Sequence, residues 1–352
     1  MSAYFRPSVD ALSAYVPGEQ PSSKDRIIKL NTNENPYPPS PKALKVLQDI
    51  SPELLRRYPH PMAREFQQAA SQVLGVPEDW ILVGNGSDDL LTMIIRACTE
   101  PGRSVVYPMP TYVLYRTLAQ IQTADVVEVP YPEDYSLPVE ALVAARGAVT
   151  FIASPNSPSG TGIPLDLLDK LAARVTGVLV IDEAYVDFAE TSALELVRRY
   201  ENVIVLRTLS KGYSLAGLRL GFGIANPTLL SGLIKVKDSY NVDAIACAVG
   251  AAAMLDREYK EKNARQVKKS RAEMADALQK MGFEIWPSQT NFLLVRVPER
   301  IQAQWLYQQL KERGILVRYF QQSRLQDKLR ITIGTPEENA LLLENLSSLM
   351  VS

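Results

Sequence analysis

The chain between about residue 80 and residue 226 alternates short apolar runs with amphipathic stretches. Runs such as "VTFIA", "VLVID" and "VIVLRT" are largely apolar, and helix-like segments such as "SDDLLTMIIRAC" separate them. Continuous apolar strands that alternate with amphipathic helices indicate a mostly parallel sheet with both faces covered. The pattern therefore predicts an α/β fold in which helices flank the sheet.

The pattern differs at the two ends of the chain. Residues before about 40 are rich in proline, asparagine and serine, which favours an extended arm. From about residue 243 a long helical stretch with an expected bend precedes short strands and further helices, which indicates a small α+β domain. We predict an N-terminal arm at 1–39, a large domain at 40–242 and a small C-terminal domain at 243–352.

Composition narrows the function. The formal net charge is −1, so no overall field attracts nucleic acid or an anionic membrane, and neither is an expected partner. The N-terminus has no apolar segment of signal-peptide type, and we expect a cytoplasmic protein. His60 is the single histidine, so a multi-histidine metal site is impossible and no metal is expected. Another group must move protons if the chain is an enzyme.

Polar residues follow the predicted strands, at the sheet edge where ligands bind in such folds. Gly86, Ser87 and Asp88 begin a predicted helix, whose free N–H groups can hold a phosphate. Ser87 or Asp88 could equally be a plain helix cap. Asn156, in "SPNSPSG", can direct an amide into a pocket or form an Asx-turn.

A carboxylate ends the strand "VLVID". Asp182 should be buried there, which is costly unless a cation pairs with it. Asp182 and Glu183 could instead bind a metal, but no histidine lies near them in the sequence. Tyr185 follows closely enough to serve the same pocket.

Two cations follow the next strand, in "TLSKGYSLAGLRLGF". Lys211 alone would suggest a surface loop, but Ser210, Lys211 and Arg219 share the edge that carries Asp182 and Asn156. A phosphate site, a buried carboxylate and a lysine are the three groups that pyridoxal phosphate requires. An ion pair of about 4 Å at an effective dielectric near 20 contributes roughly 4 kcal/mol, enough to keep the ring nitrogen protonated. Lys211 is then the expected nucleophile.

The motifs "SPNSPSG", "VIDEAY" and "TLSKGYSLAGLRLGF" closely resemble those of the fold-type I pyridoxal-phosphate aminotransferases of class I/II, over nearly the whole chain. This resemblance implies a seven-stranded sheet in the large domain and pyridoxal 5'-phosphate as cofactor. It also implies a role for each matching residue. Asp182 would pair with the pyridinium nitrogen, Asn156 and Tyr185 would bond the ring hydroxyl, Tyr112 would stack on the ring, and Gly86, Ser87, Asp88, Ser210 and Arg219 would form the phosphate site.

The resemblance also implies residues beyond the cofactor. Tyr58, in "RRYPHP", would reach the phosphate of a partner subunit, so a homodimer with shared active sites is expected. Arg318 and Arg330 would bind substrate anions through bidentate bonds, although each alone could be a surface strand residue. Three further residues are expected to border the substrate: Tyr15, Asn33 and Asn241.

Within this family the resemblance is to enzymes of histidine biosynthesis. It implies amino transfer between glutamate/2-oxoglutarate and histidinol phosphate/imidazole-acetol phosphate, in a ping-pong cycle with Lys211 as the proton carrier. An aromatic or broad-specificity aminotransferase and a threonine-phosphate decarboxylase are alternatives within the same fold. A catalytically silent sensory domain is disfavoured because Lys211 and Asp182 are both present and no DNA-binding region precedes the arm.

Overall fold

The computed structural model describes residues 4–12, 19–20 and 27–351. Strands and helices alternate through most of this part, as the hydrophobic pattern predicts. The strands are β1 (Ile28–Lys29), β2 (Ile81–Gly84), β3 (Ser104–Met109), β4 (Asp125–Pro130), β5 (Val149–Ala153), β6 (Val178–Asp182), β7 (Val203–Thr208), β8 (Gly221–Ala225), β9 (Glu284–Ile285), β10 (Phe292–Arg296), β11 (Ile315–Leu316), β12 (Arg318–Tyr319) and β13 (Lys328–Thr332).

Several helices have proline as their first residue, and several follow a polar N-cap residue whose side chain accepts a backbone N–H of the first turn. Ser40 accepts the Lys42 N–H, and Asp243 accepts the Ala246 N–H, which satisfies free donors of the first turn. The α-helices are α1 (Pro7–Asp10), α2 (Pro41–Gln48), α3 (Pro52–Arg56), α4 (Arg64–Leu74), α5 (Ser87–Cys98), α6 (Leu114–Ile121), α7 (Val139–Ala144), α8 (Leu165–Ala172), α9 (Leu196–Arg199), α10 (Pro227–Ile234), α11 (Ala244–Leu255), α12 (Arg257–Lys280), α13 (Ala303–Glu312) and α14 (Pro336–Val351).

In the described part of the chain, a seven-stranded sheet has the order β2-β8-β7-β6-β5-β3-β4. All neighbours are parallel except β8, which is antiparallel to β2 and β7. The prediction of a mostly parallel seven-stranded sheet is confirmed. This order places the carboxyl ends of β2, β3, β5, β6 and β7 at one edge, together with the start of β8.

Both faces of the large sheet are covered. Along β7, Val203 and Val205 belong to one hydrophobic cluster, whereas Ile204 and Leu206 belong to another. Because successive strand residues point to opposite faces, an entirely apolar strand requires a helix layer on each side. One layer includes α5, α6 and α10, and the other includes α2, α4 and α11.

A second sheet, of order β12-β13-β10-β9, is antiparallel and carries its own hydrophobic cluster under α12, α13 and α14. β1 pairs with β11 in parallel, so the chain that follows β1 passes from this smaller unit towards the large sheet. The helical stretch breaks at Asp256, between α11 and α12, as expected. Residues of α11 belong to the hydrophobic cluster of the large sheet. The boundary predicted after residue 242 stays a prediction.

None of the helices in the described ranges combines the length and the apolar character that crossing a bilayer requires.

Candidate active site

A cavity of about 310 Å³ opens at the edge where the parallel strands end. Groups from the large sheet, from the chain after β1 and from the small antiparallel sheet all face it. Its lining includes Asn31, Thr32, Asn33, Ser87, Asp88, Thr111, Tyr112, Ser157, Asp182, Tyr185, Thr208, Ser210, Lys211, Arg219, Arg318, Phe320, Gln322 and Arg330. Most of the residues predicted from strand ends therefore meet in one place.

Lys211 lies inside this cavity. Its Nζ donates a hydrogen bond to the Thr32 carbonyl oxygen at 3.0 Å and lies 5.9 Å from the centre of the Tyr185 ring. Burial, with a further contribution from the Arg330 guanidinium, lowers the pKa of Lys211 to about 8. An amine with such a pKa is partly neutral near neutral pH, as a nucleophile or general base must be.

Asp182 is buried at the end of β6. Its Oδ2 accepts a hydrogen bond from Tyr115 Oη at 2.8 Å, and its Oδ1 accepts one from the Ala184 N–H at 3.1 Å. Burial raises the pKa of Asp182 to about 6, and the Tyr115 bond acts in the opposite direction. No lysine, arginine or histidine among the described residues forms an ion pair with it. Asp182 is thus a fixed carboxylate that a cation in the cavity would stabilise.

Glu183 has a different role from its neighbour. It accepts two hydrogen bonds from Arg207, at 3.0 and 2.9 Å, and one from the Ala193 N–H. Glu183 does not line the cavity. The ion pair with Arg207 accounts for its burial, because a buried carboxylate requires such partners. Within the described ranges, no group of histidine, cysteine, aspartate and glutamate side chains is arranged to hold a metal.

The start of α5, where a phosphate site is predicted, lies beside the Arg219 guanidinium. Gly86 has a positive φ of 79°, and a Cβ there would lie 2.6 Å from Arg219 Nη2. A glycine therefore keeps the space between the helix N-terminus and the guanidinium clear. Arg219 contacts Ser210 Oγ at 3.3 Å and Asp88 Oδ2 at 3.4 Å. The ion pair is long and half exposed, so it is weak and leaves the guanidinium available to an anion.

Tyr112 lies between the phosphate site and Asp182. It lines the cavity, its Oη donates to Asp88 Oδ1 at 3.3 Å, and its ring packs edge-on against Tyr115 at 5.6 Å. Tyr185 lies across the cavity, and its Oη accepts a hydrogen bond from Asn33 Nδ2 at 2.9 Å. Burial raises the pKa of Tyr185.

Asn156 is fully buried and is not one of the cavity-lining residues. Its Oδ1 accepts from Thr111 Oγ1 at 2.8 Å, and its Nδ2 donates to Pro110 O at 3.2 Å and to Ser159 Oγ at 2.9 Å. Both amide hydrogens are therefore used to hold the surrounding loops. A direct bond from Asn156 to a cofactor hydroxyl stays a prediction.

The two predicted anion-binding arginines lie together on the side of the cavity formed by the small sheet. Arg318 and Arg330 are directly opposite each other in the register of β12 and β13. Arg330 donates to Ser157 Oγ at 3.1 Å and to Asn31 O at 3.0 Å, and its guanidinium lies over the Phe292 ring at 5.2 Å. The arginines thus present two guanidinium groups to the same space.

The remaining predicted residues lie in different places. Asn33 lines the cavity, but Asn241 lies in a neighbouring depression, where its Nδ2 bonds Asp89 Oδ2 at 2.8 Å. Tyr15 lies outside the described residues. Tyr58 is 82% exposed, stacks on another tyrosine and does not line the cavity of its own chain. His60 is exposed in a loop and accepts the Met62 N–H through Nδ1.

Several residues of the site were not predicted from the sequence. Tyr115 lies in the first turn of α6, whereas Tyr112 precedes the helix, so helical spacing does not place their hydroxyls together. Thr32 contributes its backbone carbonyl oxygen. Every residue has this group, so the side-chain sequence could not predict the contact. Phe320 and Gln322 follow β12 in a loop, where the sequence carries no periodic signal.

The residues present fit pyridoxal phosphate. The glycine-lined space between the N-terminus of α5 and Arg219 suits a phosphate, the unpaired buried carboxylate of Asp182 suits a pyridinium, and the Lys211 amine lies in the same cavity. This fold and site define a pyridoxal-phosphate-dependent transferase of fold-type I. The family model of aminotransferase class I and II matches residues 25–346, and the chain belongs to that family.

Individual relatives are close over the full length. The chain is 63% identical over 350 residues to histidinol-phosphate aminotransferase 1 of Trichormus variabilis, covering 99% of this chain and 100% of that protein. It is 61% identical over 352 residues to histidinol-phosphate aminotransferase 1 of Nostoc sp., covering 100% and 99%. The crystal structure of histidinol-phosphate aminotransferase from Sinorhizobium meliloti in complex with pyridoxal-5'-phosphate matches with a TM-score of 0.91 and 26% identity, covering 99% and 98%.

Proposed function

We propose that this chain transfers an amino group between glutamate/2-oxoglutarate and histidinol phosphate/imidazole-acetol phosphate, a reaction of histidine biosynthesis. The observation that carries this specificity is the 63% identity, over 99% of the chain, to a histidinol-phosphate aminotransferase. The cavity agrees with it, since Arg318 and Arg330 share the space that Lys211 faces. Two guanidinium groups can donate hydrogen bonds to the carboxylates of glutamate and, in the second half-reaction, to the phosphate of histidinol phosphate.

Each side of the cavity has a separate task in this proposal. Ser87, Ser210 and Arg219 would hold the phosphate of the cofactor, Tyr112 would pack against its ring, and Asp182 would pair with its ring nitrogen. When bound, pyridoxal phosphate supplies an electron-withdrawing ring that stabilises negative charge on the substrate α-carbon. Asp182 supports this by remaining ionised above its pKa of about 6.

Lys211 moves the proton in this scheme. Its amine, with a pKa lowered to about 8, would accept the proton from the substrate α-carbon and donate it to the cofactor carbon that bears the transferred nitrogen. The Tyr185 ring, whose hydroxyl accepts a hydrogen bond from Asn33 at 2.9 Å, lies 5.9 Å from Lys211 Nζ at the same cavity. The cavity walls exclude bulk water around the amine, which keeps its pKa low.

A half-reaction screen tests the proposal. The enzyme is first aminated with glutamate and freed of excess substrate, and single keto compounds are then added while the cofactor absorbance is followed. Imidazole-acetol phosphate is expected to restore the starting spectrum fastest. Faster return with an aromatic keto acid would favour the broad-specificity alternative, and carbon dioxide release from threonine phosphate would favour the decarboxylase. A chain that is not aminated by any donor would contradict the proposal.

Replacement of Arg330 by alanine is expected to raise the KM for glutamate and for histidinol phosphate by about ten- to a hundredfold, the loss typical of charge-assisted hydrogen bonds. Because the Arg330 charge also lowers the pKa of Lys211, that pKa should rise in the variant. Steady-state kinetics measure the first effect, and the pH dependence of cofactor attachment to the apoenzyme measures the second. Arg313→Ala, which removes an exposed arginine bonded to Asn345, is the control. An unchanged KM for both substrates would exclude Arg330 from the substrate site.

The proposal includes a homodimer in which Tyr58 reaches the cofactor phosphate of the partner subunit. Tyr58 is 82% exposed and stacks on Tyr240 at 4.6 Å, while Leu44, Leu47 and Leu55 are exposed on the neighbouring helices α2 and α3. Exposed apolar residues of this kind are typical of an interface between subunits.

Mixing two inactive variants tests the shared sites. Lys211→Ala and Tyr58→Ala chains are refolded together at limiting cofactor, and a hybrid dimer would contain one site with both native residues. Activity above that of either variant alone is expected. No recovery in a mixture that sediments as dimers would contradict the assignment of Tyr58. We also propose that the enzyme acts in the cytoplasm, where fractionation of the source cells should find it.

A further inference from the structure

The connection between β12 and β13, residues 320–327, forms the outer wall of the cavity. Arg318 precedes it and Arg330 follows it on the two paired strands, and Phe320 and Gln322 within it line the cavity. The substrate-side groups therefore belong to one short stretch of chain. Its position relative to the large sheet determines the shape of that wall.

Arg324 connects this segment to the large domain. Its Nη2 donates to the Pro132 carbonyl oxygen at 2.9 Å, and its Nη1 donates to the Tyr131 carbonyl oxygen. Both carbonyls belong to the loop that follows β4. A guanidinium group holds its donors in a rigid planar fork, so two neighbouring acceptors fix the orientation of the segment as well as its distance.

Further contacts join the small antiparallel sheet and the segment to the large domain. Trp286 Nε1 donates to the Glu133 carbonyl oxygen at 3.3 Å, and the Trp286 ring packs edge-on against Tyr135 at 6.1 Å. Leu325, next to Arg324, is fully buried in the hydrophobic cluster of the large sheet. The segment is thus attached by hydrogen bonds and by packing at one point along its length.

The backbone at this point has an uncommon conformation. Arg324 has a φ of 69°, and Tyr135, whose ring lies 5.8 Å from its guanidinium, has a φ of 59°. Left-handed backbone costs a residue with a side chain about 1–2 kcal/mol, so other contacts must compensate. Arg324 does not line the active-site cavity, and it forms no ion pair with a described carboxylate.

We infer that Arg324 is a positioning residue, which holds the 320–327 segment against the large domain and keeps Arg318 and Phe320 at the substrate end of the cavity. The inference rests on the proposed function, because it concerns substrate affinity at that site. Without the two hydrogen bonds of Arg324, a smaller fraction of the molecules would have the 320–327 segment in its position at the cavity. Apparent affinity falls in proportion to the binding-competent fraction, whereas saturating substrate restores that arrangement. Loss of Arg324 should therefore act on KM and spare kcat.

The test compares Arg324→Ala and Arg324→Lys with the native holoenzyme. Arg324→Ala should raise the KM for glutamate and for histidinol phosphate about fivefold to tenfold, the effect of losing one or two hydrogen bonds of a partly exposed charge. The kcat and the cofactor absorbance should not change. Arg324→Lys keeps the charge but loses the fork, so its KM should also rise. Arg300→Ala, which removes an exposed arginine bonded to Met350 O in the small domain, is the control and should behave as the native enzyme.

A second variant provides an independent measurement. Trp286→Phe removes the N–H donor to Glu133 and keeps an aromatic ring, so its KM should rise in the same direction. Combined with Arg324→Ala it should give less than the sum of the two effects, because both contacts join the small antiparallel sheet to the same loop after β4.

Three results would overturn the inference. The first is a native KM in Arg324→Ala, and the second is a native KM in Arg324→Lys alone, which would mean that only the charge matters. The third is an equal loss of kcat, cofactor content and melting temperature, which would indicate a general structural role. Failure of the proposed function is separate: the native enzyme would then not accept histidinol phosphate, and the glutamate half-reaction would still measure the effect of Arg324.

Discussion

Replacement of Lys211 by alanine is expected to lower the rate of amino transfer by about ten-thousandfold or more. The variant loses both the amine that bonds to the cofactor and the base that moves the α-carbon proton, and a positioned base alone contributes up to about 10⁴. No other lysine is among the described residues that line the cavity, so no second amine there can replace Lys211. Single-turnover absorbance measurements with glutamate give the rate.

Two further readouts separate chemistry from folding. Borohydride reduction should attach the cofactor covalently to the native chain at residue 211 and leave the variant unlabelled. Added methylamine should restore part of the proton transfer, because it supplies the missing base. The exposed Lys235→Ala variant is the control. Transamination by the alanine variant at the native rate, without added amine, would refute the assignment of Lys211.

The pKa of Lys211 also predicts a pH dependence for the apoenzyme. The free-base fraction of an amine with a pKa of about 8 is one half at that pH and levels off about one unit above it. The rate of cofactor attachment should follow the same curve. An ordinary exposed lysine would instead give a rate that still increases near pH 10.

The sequence was sufficient for the sheet and for the residues that burial makes costly. Entirely apolar strands require two helix layers. Parallel strands bring their carboxyl ends to one edge, so the sequence alone predicts that Asp182 and Lys211 lie close together. A buried carboxylate or amine at the end of such a strand is costly unless a partner pairs with it. A ligand with a basic ring nitrogen and an aldehyde supplies both partners, which is why the sequence predicts the cofactor.

Contacts that depend on tertiary packing could not be predicted in the same way. The Tyr115 hydroxyl reaches Asp182 because α6 packs on the sheet beside β5, and Asn241 turns to Asp89 and the Val83 carbonyl rather than to the cavity. Thr32 acts through its backbone oxygen. Arg324 looks like any loop arginine until the carbonyls of another domain are known to lie beside it.

The charges of the site are divided between two regions. Burial and the Arg330 and Arg219 charges lower the pKa of Lys211, whereas Asp182 lies at the end of β6 and forms no ion pair with a described cation. The protein alone therefore leaves both an amine and a carboxylate in less stable states than in water. A cofactor with an aldehyde and a basic ring nitrogen would relieve both costs.

Asp182→Asn is expected to reduce kcat by about a thousandfold, because an ion pair of roughly 4 kcal/mol with the ring nitrogen is lost while the size of the side chain is kept. Cofactor affinity should also fall. Steady-state kinetics at saturating cofactor measure the effect, and Asp49→Asn, at an exposed aspartate, controls for the loss of one negative charge. A near-native kcat would contradict the proposed role of Asp182.

Apoenzyme stability tests the same carboxylate without any turnover. The folded pKa of Asp182 is raised from 3.8 to about 6, so the folded state holds the proton more tightly than the unfolded state in that interval. The native apoenzyme should therefore lose up to about 3 kcal/mol of unfolding free energy as the pH rises through it, and Asp182→Asn should not. Urea unfolding should show that the unfolding free energy of Asp182→Asn, relative to the native protein, increases between pH 4.5 and pH 7.5. Added cofactor should make the native protein the more stable one, because only the native carboxylate then has a cation beside it. A difference that does not change with pH would mean that burial imposes no cost on this carboxylate.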